Sequence, residues 1–277
     1  MFRGLGMKSD KVILFSDMDG TMLTDWDRGP HVPTRNLDAV RRFLSEGGMF
    51  SVATGRQYGD VLRFFGGIRF PVPMVLNNGA VLYDSVKEKV LRKTLLPAPV
   101  KKECLDYCRS RPGIWLVAAD EQGIYQVKSG DPVWDRSLMD IKRPKITEDR
   151  YFAMETVKVC FVLANASAFP AAAADVAGFR TTGMFRTAQS SPVFLEVMEK
   201  SVGKKAAVKE AVRYARAEKR TLVCIGDYDN DCGMLTLADI AACPSNASPR
   251  VLETAKLVTC SNNEGAVADL LEKLLVL

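Results

Sequence analysis

The sequence predicts an α/β protein in which a parallel-sheet core, built from both ends of the chain, is interrupted by an inserted α+β domain. Three observations carry this. In the first third, the short apolar runs Val12-Ile13-Leu14-Phe15, Met49 to Ala53 and Val72 to Leu76 alternate with helical patterns, the rhythm of a parallel sheet. The middle of the chain reads instead as hairpins mixed with helices, which points to an antiparallel sheet. From Val193 the strand–helix alternation returns. The predicted division is a core of 1–83 and 191–277, with the insert at 84–190. A length of 277 residues, 47% of them hydrophobic, suits one large or two modest domains with a substantial buried core.

The elements follow in order. Four apolar residues, Val12 to Phe15, stopped by Asp17-Met18-Asp19-Gly20-Thr21, read as a buried parallel strand delivering its end to a loop. Leu37, Val40 and Leu44 stand at helical spacing, giving a helix from Thr34 to Ser45, with Thr34 as its N-cap and Gly47-Gly48 as its stop. The strand Met49 to Ala53 ends in Thr54-Gly55-Arg56. The strand Val72 to Leu76 ends in Asn77-Asn78-Gly79, a hairpin-type turn into Ala80-Val81-Leu82-Tyr83. In the insert, a helix from Ala98 to Ser110 precedes a hairpin of Ile114 to Ala118 and Ile124 to Lys128. The strand Val157 to Leu163, an Ala-rich helix near 168–177 and strands near 179–187 complete it. The returning half offers a helix from Lys204 to Glu218 and the strand Leu222 to Ile225 with the loop Gly226-Asp227-Tyr228-Asp229-Asn230-Asp231. Strands at 240–242 and 257–259 then alternate with helices near 249–255 and 266–274.

Composition narrows the function. The net charge of +5 is a mild basic excess that suits anionic small molecules, and short pairs such as Lys101-Lys102 and Lys204-Lys205 make no nucleic-acid stripe. Seven cysteines without a CxxC pair read as reduced thiols, and no apolar run is long enough for a membrane span. A soluble, cytoplasmic protein is expected, with no nucleic-acid or membrane partner; the sequence leaves the oligomeric state open. One histidine, His31, leaves no room for His-based triads or His-rich zinc sites.

The chemistry lies in the acidic loops. Residues two apart in an extended segment point the same way, so Asp17 and Asp19 converge, and two such carboxylates repel unless a cation sits between them. Asp227, with Asp231 a helical turn on, follows another buried strand, and in open α/β sheets ligands bind beyond the carboxyl ends of the strands. Carboxylate oxygens without His or Cys select Mg²⁺. A calcium-loop reading of Asp227, Asp229 and Asp231 fails, because Cys232 stands where that loop needs Gly and Ala238 where it needs Glu.

Together these motifs resemble those of haloacid dehalogenase (HAD) superfamily phosphatases of the Cof-type branch. The matching segments, in order, are Asp17-Met18-Asp19-Gly20-Thr21, Thr54-Gly55-Arg56, Lys204 opening a helix, and Gly226-Asp227-x-x-Asn230-Asp231. The resemblance covers essentially the whole chain and implies a Rossmann-like parallel-sheet core with an inserted α+β cap that selects the leaving group. It implies that Asp17 is a nucleophile forming an aspartyl-phosphate and Asp19 the general acid and base, its backbone carbonyl also ligating the metal. Thr54, Gly55 and Lys204 would bind phosphate, Asp227 would ligate Mg²⁺ with Asp231 supporting it, and Asn230 would help to position phosphate or metal-bound water.

Two readings stand for several residues. Arg56 is either a phosphate or substrate contact or a surface arginine. Asn78 is either near the substrate or a plain turn residue, and Asp231 also reads as a helix cap. Trp115, Tyr125 and Trp134 read as core aromatics or as a stacking surface. One departure is visible: where the family carries Met-Gly-Asn-Ala, this chain has Cys243-Pro244-Ser245-Asn246-Ala247, which puts the local backbone path in question. The expected activity is Mg²⁺-dependent hydrolysis of a small phosphorylated metabolite, with sugar phosphates favoured. A phosphomutase or phosphotransferase shares the aspartyl-phosphate. A receiver-type signalling module lacks the insert and the second aspartate, and an inactive binding protein would have lost some of these residues.

Overall fold

The computed structural model describes residues 5–25, 27, 29–128 and 143–275. It divides into two compact units, one from both ends of the chain with inner limits Arg92 and Gly203, the other Lys93–Val202. In chain order the elements begin with β1 (Val12–Ser16), α1 (Thr34–Ser45), β2 (Met49–Val52), α2 (Tyr58–Phe64), β3 (Met74–Leu76), β4 (Val81–Asp84) and β5 (Lys89–Lys93). There follow α3 (Ala98–Ser110), β6 (Ile114–Ala119), β7 (Ile124–Lys128), α4 (Glu148–Ala153), β8 (Lys158–Leu163), α5 (Phe169–Ala177), β9 (Phe185–Ser191) and β10 (Phe194–Glu199). The last are α6 (Lys204–Tyr214), β11 (Thr221–Ile225), α7 (Cys232–Leu235), β12 (Ile240–Pro244), α8 (Pro249–Thr254), β13 (Leu257–Thr259) and α9 (Ala266–Leu274).

The first unit is built on a parallel sheet of order β13-β12-β11-β1-β2. All five residues of β1 are buried, as a strand covered on both faces requires. Ser16 pairs with Ile225 on one side and with Val52 on the other, so β11, β1 and β2 end level and their following loops share one edge. Ile13 and Phe15 pack with Ala207, Val208 and Ala211 of α6 in one core cluster, and α1 packs beside α9.

Three expectations shift here. Thr34 is the first helical residue of α1 rather than its cap, which is Pro33 with no side-chain hydrogen bond. The buried face of α1 is Asn36, Val40 and Phe43, one position round from the predicted Leu37 and Leu44, because Asn36 is drawn inward to donate to the Met22 carbonyl. The strand Met74–Leu76 touches the parallel sheet through a single bridge, Ala53 to Val75. It pairs antiparallel with β4, in a separate sheet of order β3-β4-β5.

The second unit is an antiparallel sheet of order β7-β6-β8-β10-β9. Its core joins Val100, Cys104 and Leu105 of α3, Tyr151 of α4 and Val176 of α5 to Leu116, Phe161 and Val197 of the strands. The segment after Val193, read from sequence as the return of the α/β rhythm, is β10, and it pairs antiparallel with β8 and β9. Trp115 packs with Val117, Cys160 and Val162, and Tyr125 packs against the main core of this unit. Trp134 lies outside the described residues. No disulfide joins the seven cysteines, and among the described residues no helix is long and apolar enough to cross a membrane.

Candidate active site

The carboxyl edge of the parallel sheet gathers the candidate residues of the first unit. Asp17 continues β1 by one residue, its N–H donating to the Ile225 carbonyl at 2.9 Å. The chain then wraps on the Met18 carbonyl, which accepts from the N–H groups of Thr21, Met22 and Leu23. Gly20 is needed in this turn on two grounds. Its φ is +74°, and a Cβ there would stand 2.3 Å from Asp227 Oδ2. Thr21 Oγ1 donates to Asp227 Oδ1 at 2.9 Å, orienting that carboxylate.

Beyond β11 the chain carries Asp227 and a single 3₁₀ turn, Asp229–Asp231. Asp231 is fully buried, and its Oδ2 accepts from the N–H groups of Asp227 and Tyr228, both at 3.2 Å. Lys204, the first residue of α6, is also buried. Its Nζ donates to Asp17 Oδ1 and to Asp231 Oδ1, each at 2.6 Å, while the neighbouring Lys205 is exposed. One ammonium therefore faces three carboxylates, those of Asp17, Asp227 and Asp231, whose oxygens lie within 4.8 Å of one another.

The electrostatics follow from that imbalance. Burial raises the Asp17 carboxyl well above the ordinary range, with Asp231, Asp227 and Asp19 adding to it and Lys204 opposing. Burial and the adjacent Asp231 push Asp227 up to about 7. Burial alone would lower the Lys204 ammonium, but Asp17 and Asp231 outweigh it and hold it above its usual value. Asp17 and Asp227 each keep one carboxylate oxygen, Oδ2, without a hydrogen-bond donor among the described residues. A crowded, all-oxygen donor set short of positive charge fits Mg²⁺.

Two further groups flank the cluster. After β2, Thr54 donates its N–H to the Val75 carbonyl, and its hydroxyl oxygen accepts from the Arg56 N–H at 3.2 Å; Gly55 lies between them. Arg56 is no surface arginine: it is 8% exposed. Its guanidinium grips Asp19 with two bonds, Nε to Oδ2 at 2.8 Å and Nη2 to Oδ1 at 2.5 Å. Asn78, buried at φ +56°, donates its N–H to the Thr54 carbonyl and accepts at Oδ1 from Asn230 Nδ2 at 3.2 Å. Asn78 is thus more than a turn residue: it ties the Thr54 loop to the Asp227 loop.

The structure brings Asp17, Asp227, Asp231 and Lys204 together. It sets the Asp19 carboxylate apart, on Arg56. Sequence reasoning missed Thr21 as the group that aims Asp227, although Thr21 stood inside the first motif. The asparagines that hold the loop after β1 left little trace in the sequence beyond Asn246, which with Ala247 keeps its place where Pro244 and Ser245 depart from the family's pattern. That segment makes an ordinary turn, Ala247 N–H to the Pro244 carbonyl at 3.1 Å. Ser245 is not among the residues with positive φ, so the backbone there does not demand glycine.

Known proteins share this architecture. A family model described as haloacid dehalogenase-like hydrolase matches residues 14–271. The 5-amino-6-(5-phospho-D-ribitylamino)uracil phosphatase YitU of Bacillus subtilis is 22% identical over 269 residues, spanning 96% of this chain and 98% of its own. Among solved structures, the HAD phosphatase BT1666 from Bacteroides thetaiotaomicron superposes with a TM-score of 0.78 at 22% identity, over 95% of this chain and 94% of that one. The subclass IIB sugar phosphatase BT4131 superposes with a TM-score of 0.79 at 20% identity, over 95% and 98%.

Proposed function

The chain belongs to the haloacid dehalogenase-like hydrolase family, and within it we propose a Mg²⁺-dependent phosphomonoesterase that hydrolyses a small phosphorylated metabolite, a sugar phosphate by preference, through an aspartyl-phosphate on Asp17. The observation that carries this reading is the Lys204 ammonium bonded to Asp17 and Asp231 beside Asp227. It leaves Asp17 with one oxygen held and the other open, as a carboxylate nucleophile requires.

Phosphoryl transfer is mostly positioning and charge neutralisation. Lys204 holds Asp17 in place and offers its remaining donor to a phosphate oxygen. The Thr54 hydroxyl, fixed by the Arg56 N–H, offers its own hydrogen to a second. Asp19 protonates the leaving alcohol and then takes a proton from water. In the structure Arg56 occupies both of its oxygens, so this step requires the Arg56 grip to open. Asp17, Asp227 and the Asp19 backbone carbonyl would hold Mg²⁺, with Asp231 behind them. The metal would neutralise the transferring phosphoryl group.

The sugar-phosphate preference rests on the relatives, one a sugar phosphatase and one acting on a phosphoribitylamino-uracil. All the chemistry above comes from the first unit, and leaving-group choice is assigned to the second, the cap. A reducing, cytoplasmic setting agrees with seven cysteines and no disulfide.

Phosphate release from an aryl phosphate and a panel of sugar phosphates, nucleotides, FMN and pyridoxal phosphate tests the proposal. Activity should need Mg²⁺, vanish with EDTA and favour sugar phosphates. Exchanging Lys93–Val202 for the matching segment of a relative should change the preference and keep the Mg²⁺ requirement. Full activity after chelation, or a need for zinc, contradicts the proposal.

A further inference from the structure

The loop that carries Asp17, Asp19 and Gly20 is tied down by asparagines from three other elements. Asn36 of α1 donates to the Met22 carbonyl at 3.3 Å, and its Oδ1 accepts from the Ala268 N–H of α9. Asn262 donates to the Leu23 carbonyl at 2.9 Å and to Asp25 Oδ1 at 2.8 Å. Asn246, between β12 and α8, donates from Nδ2 to the Gly20 carbonyl at 2.9 Å. Its Oδ1 accepts from the Asn262 N–H at 2.9 Å. A backbone N–H is only a donor, so this contact fixes which end of the Asn246 amide faces which partner.

The segment bearing Asn246 also grips the second acidic loop. Ser248 donates its N–H to the Asp227 carbonyl at 2.8 Å and its hydroxyl to Asp229 Oδ1 at 3.1 Å. Residues 246–248 therefore span the two acidic loops, one end on Gly20 and the other on Asp227. Gly20 in turn sits so close to the Asp227 carboxylate that no side chain fits between them, and Thr21 aims that carboxylate.

We propose that Asn246 is a positioning residue for the acidic site: by holding the Gly20 carbonyl it keeps the Gly20–Thr21 segment against Asp227, and so sets the gap between the Asp17 and Asp227 carboxylates in which a divalent cation is to be held. The inference rests on the metal-dependent reading above and deepens it. Asn246 touches neither carboxylate and acts through Gly20. Its side chain is exposed, so Asn246→Ala takes no side chain out of the interior and removes only its bonds to the Gly20 carbonyl and the Asn262 N–H. The buried Asn262 and Asn36 would be poorer probes, because losing them would leave carbonyls unpaired in the interior.

The test is Mg²⁺ binding to the intact protein without substrate, read as the Mg²⁺ concentration that gives half the full rise in thermal midpoint. Wild type, Asn246→Ala and Asn246→Asp are compared. The loss of one net hydrogen bond that steadies the bound geometry should raise that concentration about fivefold in Asn246→Ala. Asn246→Asp keeps an acceptor for the Asn262 N–H but turns a carboxylate oxygen toward the Gly20 carbonyl. It should weaken Mg²⁺ binding as well, despite its added negative charge.

Variants with a lower midpoint but the wild-type Mg²⁺ concentration would overturn the proposal, since Asn246 would then be loop packing alone. Wild-type binding in Asn246→Asp, with loss only in Asn246→Ala, would also overturn it, by placing the whole role on Asn262. A wild-type protein that gains no stability from Mg²⁺ overturns the metal reading itself, and this proposal with it.

Discussion

At the residue scale, the site is governed by charge imbalance. Asp17, Asp227 and Asp231 share one bonded ammonium, and without a metal ion a proton relieves part of the excess. Burial and Asp231 raise Asp227 to about 7, and Asp17 shifts in the same direction. The sign follows directly. Between the ordinary carboxylate range, about 4, and about 7, the folded state keeps a proton that the unfolded state has lost. Metal-free stability therefore falls as pH rises through that window, and the raised Asp17 adds a fall of the same sign. Mg²⁺ must displace the same proton, so its affinity should drop about tenfold per pH unit as pH falls below about 7. Calorimetric titration with Mg²⁺ across this range checks the slope. Asp227→Asn should make the slope shallower, leaving the part due to Asp17, and remove most of the binding. It should also raise the metal-free thermal midpoint near pH 8, by about 2–4 °C for each kcal/mol of repulsion relieved.

At the element scale, three level strand ends and one helix start make the site, and the contacts between elements are as tight as those within it. Gly79, at φ +98°, lies where a Cβ would stand 2.6 Å from the Gly203 carbonyl and 3.1 Å from Ala207 Cβ. It thus packs the turn after β3 onto the start of α6, the helix that opens with Lys204. Gly79→Ala forces either that turn or α6 to move, at a cost of about 1–3 kcal/mol for the clash, with backbone strain adding to it. The expected result is lower stability in denaturant titration and a turnover loss larger than the stability loss explains, because Lys204 is displaced. Normal turnover in a destabilised Gly79→Ala protein would show that α6 is not positioned through this contact.

The acidic loops could be placed because each follows a buried apolar strand, and the parallel register puts such loops on one edge. Helices α3 and α9 lie where the sequence placed them, at Ala98–Ser110 and Ala266–Leu274, although neither has a side-chain cap. The strand β10 could not be assigned, since an apolar run says nothing of its partner, and β10 pairs within the antiparallel sheet. The grip of Arg56 on Asp19, the inward turn of Asn36 and the bond from Asn246 to Gly20 were equally hidden. Each joins a side chain to a group far away in sequence and leaves no periodic trace.

At the scale of the whole molecule, a parallel-sheet unit made from both chain ends carries every residue given a chemical role, and the Lys93–Val202 unit carries none of them. On the proposed mechanism Asp17 takes the phosphoryl group. Mass spectrometry of the protein quenched in mid-turnover with Mg²⁺ and an aryl phosphate tests it most directly. One phosphoryl group should be found on the peptide containing Asp17, more of it in Asp19→Asn, where water is no longer activated, and none in Asp17→Asn, which should be inactive. Substantial turnover by Asp17→Asn, or a phosphoryl group on any other residue, would contradict it.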